Sequence, residues 1–296
     1  MQPFGERAED MGMNADFADK GLYLYQDQYG EVVYRQLATK PGRVDALHET
    51  DSIEVPYLAI FTKAPAAEEF IYCGYVSNLY KFVGNDELCN PIRESVLASG
   101  TPIFRENSLF SDNMARFRDE IIIQSSVNAP TVGDVLPVMI INNSYDGTKA
   151  ASLSFGLATL DSNRTDYLTF AFKMGSMRMV HIESSQTELT TVVSDYVHSF
   201  RESIVELITE SINKRLTAEE MLATLDLVEG LGKRRREIIS ENLPDSVTAW
   251  GMFMAIVRYS SFEANLNMKS MLENIAQSVL VIPARMMDVL ERLESE

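Results

Sequence analysis

Cysteine, histidine and positive charge are scarce in this chain, and each scarcity excludes a class of function. Two cysteines and three histidines are spread over 296 residues. Cys73 and Cys89 fall in runs that read as a strand and a helix, without the spacing of a redox pair or a zinc ligand set, which points to two reduced, buried thiols. His48, His181 and His198 are equally isolated. Nucleophilic catalysis needs a Ser or Cys with a base beside it. No nucleophile elbow or Cys-His signature accompanies these three, so structural histidines are expected and no catalytic residue is assigned. No metal and no cofactor is expected either. Glu68-Glu69 and Glu219-Glu220 read as solvated faces rather than cation ligands. Gly147-Thr148-Lys149 has the ending of a P-loop but lacks the upstream glycine and the following helix that a phosphate cradle requires.

Long apolar runs are missing as well. No stretch is long enough to span a bilayer, and the acidic, mixed amino terminus has neither the basic start nor the apolar core of a signal peptide. The expectation is a cytoplasmic protein with no membrane partner. Only 26 basic residues face 43 acidic ones, for a net charge of −17. Such a surplus favours solubility and repels nucleic acid and anionic membrane over most of the surface, so a partner with a basic face is favoured.

What is present is enough apolar residue, 46% of the chain, to bury a sizeable core in one large domain or two ordinary ones. Residues 1–20 are polar and read as a flexible arm. From 21 to 184 the chain is rich in β-branched and aromatic runs separated by polar loops, as in Leu22–Tyr25, Glu31–Leu37 and Ile53–Thr62. Strand character continues over Glu69–Val83, and Asn85 offers an N-cap to a helix running to about Ser99. Two strands follow between 101 and 123, then Val135–Asn142 and Ala150–Leu160 as a hairpin about Asp146-Gly147, and then Tyr167–Met174 and Met177–Ile182. After 185 the period changes to that of a helix. Leu189, Val192, Val193, Tyr196, Val197, Phe200, Ile204, Leu207, Ile208 and Ile212 form one stripe. Thr217 and Glu220 make a capping box, Gly230 and Gly232 end that second helix, and three more helices follow, with Pro283 interrupting the tail. Strands first and helices second argue for an α+β fold, with an antiparallel-rich sheet in the amino-terminal two-thirds and a helical subdomain over 185–296.

Three surfaces carry possible recognition chemistry. Lys233, Arg234, Arg235 and Arg236 are the strongest basic run of an acidic chain, and they follow a Gly-Leu-Gly turn similar to that of a helix-hairpin-helix, where turn amides are aimed at a phosphate. The alternative is a glycine stop followed by a basic first turn. Cations oppose the dipole at a helix start, so they require a partner, which this protein's own acidic residues could supply. The aromatic series Tyr23, Tyr25, Tyr34, Phe70, Tyr72, Tyr75, Tyr80 and Phe82, with Lys81 beside it, would stack bases if exposed, although its alternating spacing also fits cross-strand packing. In Asn143, Ser144, Tyr145, Asp146, Gly147 and Thr148 the polar side chains are suited to capping local amides, and the glycine supplies backbone freedom.

Three stretches together resemble a phage/plasmid-like protein family known as domain of unknown function 932. Residues 74–87 (GYVSNLYKFVGNDE) are similar to its strand-to-helix entry, 143–148 (NSYDGT) to its Asn-Ser-His-Asp-Gly hairpin, and 248–259 (TAWGMFMAIVRY) to a late helix with a Trp-Gly and an aromatic-Ala pattern. Tyr145 departs from the usual histidine, and residues 160–163 (LDSN) stand where the family has a Cys-Asn-Gly-like stretch. The resemblance implies a phage or mobile-element context and no reaction. The function expected is therefore non-enzymatic: an oligomeric protein of DNA metabolism that binds single-stranded DNA or a replication or recombination protein. One alternative is an anti-defence or host-takeover inhibitor whose acidic surface blocks a host DNA-binding protein. Another is a phage assembly or structural protein.

Overall fold

A computed structural model describes residues 22–28, 30–39, 53–64, 68–77, 82–111, 114–160, 166–178, 186–243 and 247–295. It has antiparallel sheets in the amino-terminal two-thirds and helices after them, as the α+β reading expects. The proposed arm at 1–20 lies outside the described residues. The chain divides into two compact units, one of Met1–Cys89, Phe110–Phe117 and Asn143–Ala151, the other of Asn90–Leu109, Arg118–Asn142 and Ser152–Glu296. That division does not follow a boundary at 184/185, because the carboxy-terminal helices group with the second sheet.

The first unit holds a four-stranded antiparallel sheet of β1 (Leu22–Asp27), β2 (Gly30–Thr39), β3 (Ile53–Lys63) and β4 (Ile71–Ser77), in that order. Gly30 opens β2 at φ +143, where a Cβ would meet the Lys63 carbonyl oxygen at 2.3 Å, so the β1–β2 turn admits only glycine. Val32, Leu58, Ile60, Cys73, Val76, Phe82, Ala115 and Tyr145 form its core. Each large aliphatic side chain so buried contributes roughly 1.5–3 kcal/mol. Register slips between Ile60 and Phe61, where Cys73 is an extra residue on β4. The slip breaks the alternation: Cys73 and Val76 turn inward, whereas Tyr72 and Tyr75 are both exposed.

The second sheet has the order β10-β9-β8-β6-β5: β5 (Ile103–Phe110), β6 (Arg116–Ile123), β8 (Gly133–Ser144), β9 (Ser152–Leu160) and β10 (Tyr167–Arg178), with β7 (Val127–Ala129) paired to β8. β6, β8 and β9 are buried along almost their whole length, which marks strands covered on both faces. Helix α1 (Asn85–Ala98) lies between β4 and β5 in the chain. The helices after β10 are α2 (Gln186–Asn213), α3 (Ala218–Glu229), α4 (Lys233–Glu241), α5 (Ala249–Ser260), α6 (Leu266–Val279) and α7 (Ala284–Ser295). The predicted stripe of α2 is buried from Leu189 to Ile208. Its Tyr196 hydroxyl donates to the Gly156 carbonyl, and Gly156 has no room for a Cβ, which would meet the Phe170 oxygen at 1.8 Å. The capping box of α3 forms as read, with Glu220 N–H donating to Thr217 Oγ1 at 3.1 Å and Thr217 N–H to Glu220 Oε2 at 2.8 Å.

Several local expectations change. Asp146-Gly147 is not a two-residue turn, since β8 and β9 stop pairing at Asn142 and Ser152 and a longer loop joins them. Tyr145 explains the length: its ring enters the core and its N–H donates to the Ala115 carbonyl at 2.8 Å, which holds the chain away from β9. Asn85 does not cap α1 with its side chain. Its Oδ1 accepts from Asn143 Nδ2, and Glu87 accepts the Gly84 N–H instead, at 3.2 Å. The strand expected over Tyr167–Met174 runs on to Arg178 as β10, with a register shift between Ala171 and Ser176, and the rest of the strand expected over Met177–Ile182 lies outside the described residues. β7 is too short to have shown a pattern.

Candidate functional site

The family-like turn is a closed polar network in the first unit. Asn143 Nδ2 donates to the Val83 carbonyl at 3.0 Å and to Asn85 Oδ1 at 2.9 Å, while its own Oδ1 accepts the Ser144 N–H. Asp146 accepts from the Ser144 hydroxyl and from the N–H (3.0 Å) and hydroxyl (2.6 Å) of Thr148, and Arg116 Nε lies 3.7 Å away. Burial alone would raise the Asp146 carboxyl, but these bonds and the Arg116 charge hold it below the usual carboxylate range. Gly147 takes φ +68 at the tip, and Tyr145 stacks on Phe82 at 5.3 Å. Each side chain is used to shape the loop. Cys73, near by, bonds Thr62 at 3.0 Å, and its thiol is pushed up first by burial and further by the Asp146 charge.

The basic run opens α4, as predicted, after the Gly230-Leu231-Gly232 turn. The turn amides are not aimed outward. Those of Gly230, Leu231 and Gly232 donate to the carbonyls of Asp226, Val228 and Glu229 in α3, which closes the α3 end as a glycine stop does. Arg235 donates to Glu263 at 2.8 Å and to the Leu231 carbonyl at 2.7 Å. Arg236 pairs with Asp226 at 3.0 Å and with Glu229. Two of the four cations are thus engaged by this protein's own acids and carbonyls, while Lys233 and Arg234 are exposed. Tyr80 and Lys81 lie outside the described residues, as do the side chains of Tyr23, Tyr25 and Tyr34. Of the remaining aromatics, Phe82 is core, and Phe70, Tyr72 and Tyr75 are 40%, 54% and 62% exposed, with Lys63 Nζ 5.0 Å above the Phe70 ring. The third family-like stretch is core packing: Trp250 and Phe253 are buried, their rings 4.9 Å apart.

Two arrangements escaped the sequence reading. On the solvent face of α2, Asp195, Glu202, Glu206 and Glu210 are all exposed. At 1.5 Å per residue, the last three are about 6 Å apart along one side of the helix. His198 sits in the same row, 3.4 Å from Glu202, while Arg201 turns elsewhere and donates to Ser125 at 2.7 Å. The i, i+4 spacing of these acids was visible, but it lay behind the apolar stripe.

The other arrangement is buried charge in the second unit. Arg118 donates to both oxygens of Glu273, at 2.6 and 2.9 Å, and to Glu120 at 2.7 Å. Glu120 also accepts from Lys269 at 3.0 Å and from Thr169 at 2.7 Å. Burial would raise Glu120, but Arg118 and Lys269 hold it down to about 2. Two cations and two anions balance, in a cluster less than 6% exposed.

Among the described residues no group of three or more metal-ligating side chains is placed to hold an ion, and no helix is long and apolar enough to cross a membrane. No family model, curated protein or solved structure matches the chain.

Proposed function

We propose that the protein is non-enzymatic and acts by binding, presenting the acidic row of α2 to the basic, DNA-binding surface of a protein of DNA metabolism or defence. The phage or mobile-element setting of this reading rests on the family resemblance. The observation that carries the reading is the exposed series Asp195, Glu202, Glu206 and Glu210 along α2. Carboxylates about 6 Å apart on a rigid helix offer a basic groove a line of negative charge comparable to a phosphate strand. A chain of net charge −17 needs no further feature to steer such an encounter. The engagement of Arg235 and Arg236 by Glu263, Asp226 and Glu229 removes half of the basic run that would favour nucleic acid directly.

The test is affinity capture from host lysate with the intact chain and with a variant combining Asp195→Lys, Glu202→Lys, Glu206→Lys and Glu210→Lys. A basic nuclease, polymerase or recombination protein is recovered by the first and lost with the second, and its binding weakens as salt rises. Recovery of the chain alone, or equal capture by both, overturns the reading.

A second reading, single-stranded nucleic acid, is favoured by one observation, the exposed Phe70, Tyr72 and Tyr75 with Lys63 beside them. Fluorescence anisotropy with a labelled oligonucleotide at low salt decides it. Binding that is absent or insensitive to salt excludes it.

A further inference from the structure

A cleft in the first unit is bordered by a buried side chain whose hydrogen-bonding capacity is only half used. Val32, Asn85, Phe110, Met114 and Tyr145 line about 190 Å³ of free space, part of which opens to solvent. Asn85 is 1% exposed, and its Oδ1 accepts from Asn143 Nδ2 at 2.9 Å. Its Nδ2 has no hydrogen-bond partner among the described residues, yet it is not one of the polar atoms sealed off without one, which are Thr159 Oγ1, Ser203 Oγ and Asn267 Oδ1. That nitrogen therefore borders the cleft. The family-like turn fixes which end of the amide it is. Backbone groups orient Asn143, whose Oδ1 accepts the Ser144 N–H at 2.9 Å and whose Nδ2 donates to the Val83 carbonyl at 3.0 Å. The other Nδ2 hydrogen of Asn143 then requires an acceptor in Asn85, and the donor end of Asn85 is left for the cleft. The remaining polar groups of the lining are occupied. Thr62 bonds Cys73, and Glu31 and Lys63 pair with each other at 3.0 Å, so no net charge invites an ion. Met114 is held at φ +53, a left-handed conformation uncommon outside glycine and concentrated at binding sites.

We propose that this cleft binds the carbonyl oxygen of an uncharged amide presented by a partner protein, with Asn85 Nδ2 as the donor. A buried donor without a partner is costly, and a ligand acceptor removes that cost. The free space is below the roughly 300 Å³ at which clefts begin to hold drug-sized ligands, so the occupant is a group of a few heavy atoms, such as one side-chain amide or one peptide unit. Phe110, Met114, Tyr145 and Val32 suit the flat, apolar remainder of such a group. A net charge of −17 favours a protein as its source over the ring carbonyl of a nucleic-acid base. The cleft belongs to the first unit and is independent of the acidic row of α2, which belongs to the second.

The test is an NMR titration of the intact chain, labelled with nitrogen-15 at asparagine, against acetamide, N-methylacetamide, uracil and toluene. The Asn85 side-chain amide signals shift saturably with an amide at millimolar concentration, as expected for so small a ligand. Toluene, flat and apolar but without an acceptor, leaves them in place. Acetamide stands for an Asn or Gln side chain and N-methylacetamide for the peptide backbone, so the tighter of the two identifies the source. Asn85→Asp keeps the acceptor that Asn143 needs but turns an oxygen to the cleft. It weakens amide binding by about tenfold or more, read at the Asn143 side-chain signals. The comparison of ligands on the unaltered chain stands even if the variant fails to fold. No saturable shift, toluene acting as the amides do, an affinity unchanged by Asn85→Asp, or uracil binding more tightly than either amide overturns the proposal.

Discussion

The two faces of β6 treat buried charge in opposite ways. Glu120 and Asp119 are neighbours in sequence, both out of solvent, both carboxylic acids. One is held down to about 2 and the other lifted to about 7. Burial is common to both and so cannot be the cause of the difference. Cations within reach are. Glu120 meets Arg118 and Lys269, whereas Asp119 shares a single guanidinium with Glu106. A strand exposes its successive side chains to different environments, and here that alternation separates a neutral cluster from an unbalanced one.

Breaking the balanced face has the largest expected effect. Arg118→Met leaves Glu120 and Glu273 without the cation they share, a loss of about 3–5 kcal/mol for a severed buried pair. Urea denaturation measures it, and a loss below about 1 kcal/mol would erase the distinction between the faces. Lys269→Met is milder, because Glu120 keeps Arg118 and Thr169. It costs about 1–3 kcal/mol, the range for a charged group left partly unsatisfied. Because the Glu120 pKa is depressed, its stabilisation is present above about pH 4.5 and lost as pH falls toward 2, and the variant loses it at a higher pH. An unchanged acid midpoint in circular dichroism would contradict this. On the unbalanced face, Glu106→Gln has the smallest effect, about 1 kcal/mol or less for a pair that solvent reaches. It frees Arg93 for Asp119, whose carboxyl titration then moves down toward the ordinary range. A midpoint that stays near 7 would mean that burial alone sets it.

Legibility from sequence followed the range of the interaction. The α2 stripe, the Thr217 capping box and the glycine end of α3 depend on contacts within four residues, and these features were found where the periodicity put them. The β8–β9 connection was misjudged because Tyr145 answers to Ala115 and Phe82, both distant in the chain, rather than to the Asp146-Gly147 pair beside it. The bulge at Cys73 likewise belongs to the β3–β4 register, and it turns Tyr72 and Tyr75 outward together where alternation would part them. For the basic run, position was legible and partners were not: Glu263 lies 28 residues beyond Arg235. The charged clusters about β6 were unreadable for the same reason. RFRDE before a triple isoleucine signals a charge-rich buried strand, but nothing local couples it to Lys269 and Glu273.

The Arg118–Glu273 bond closes 155 positions of chain. Loop closure of that length is among the costliest ordering steps in folding, and four charges must shed water before the cluster gains anything. Local elements such as the α2 helix and the β8–β9 hairpin need no such closure. The cluster is therefore expected to assemble after the folding barrier is crossed, so that its strength appears in how slowly the protein comes apart and hardly at all in how fast it forms.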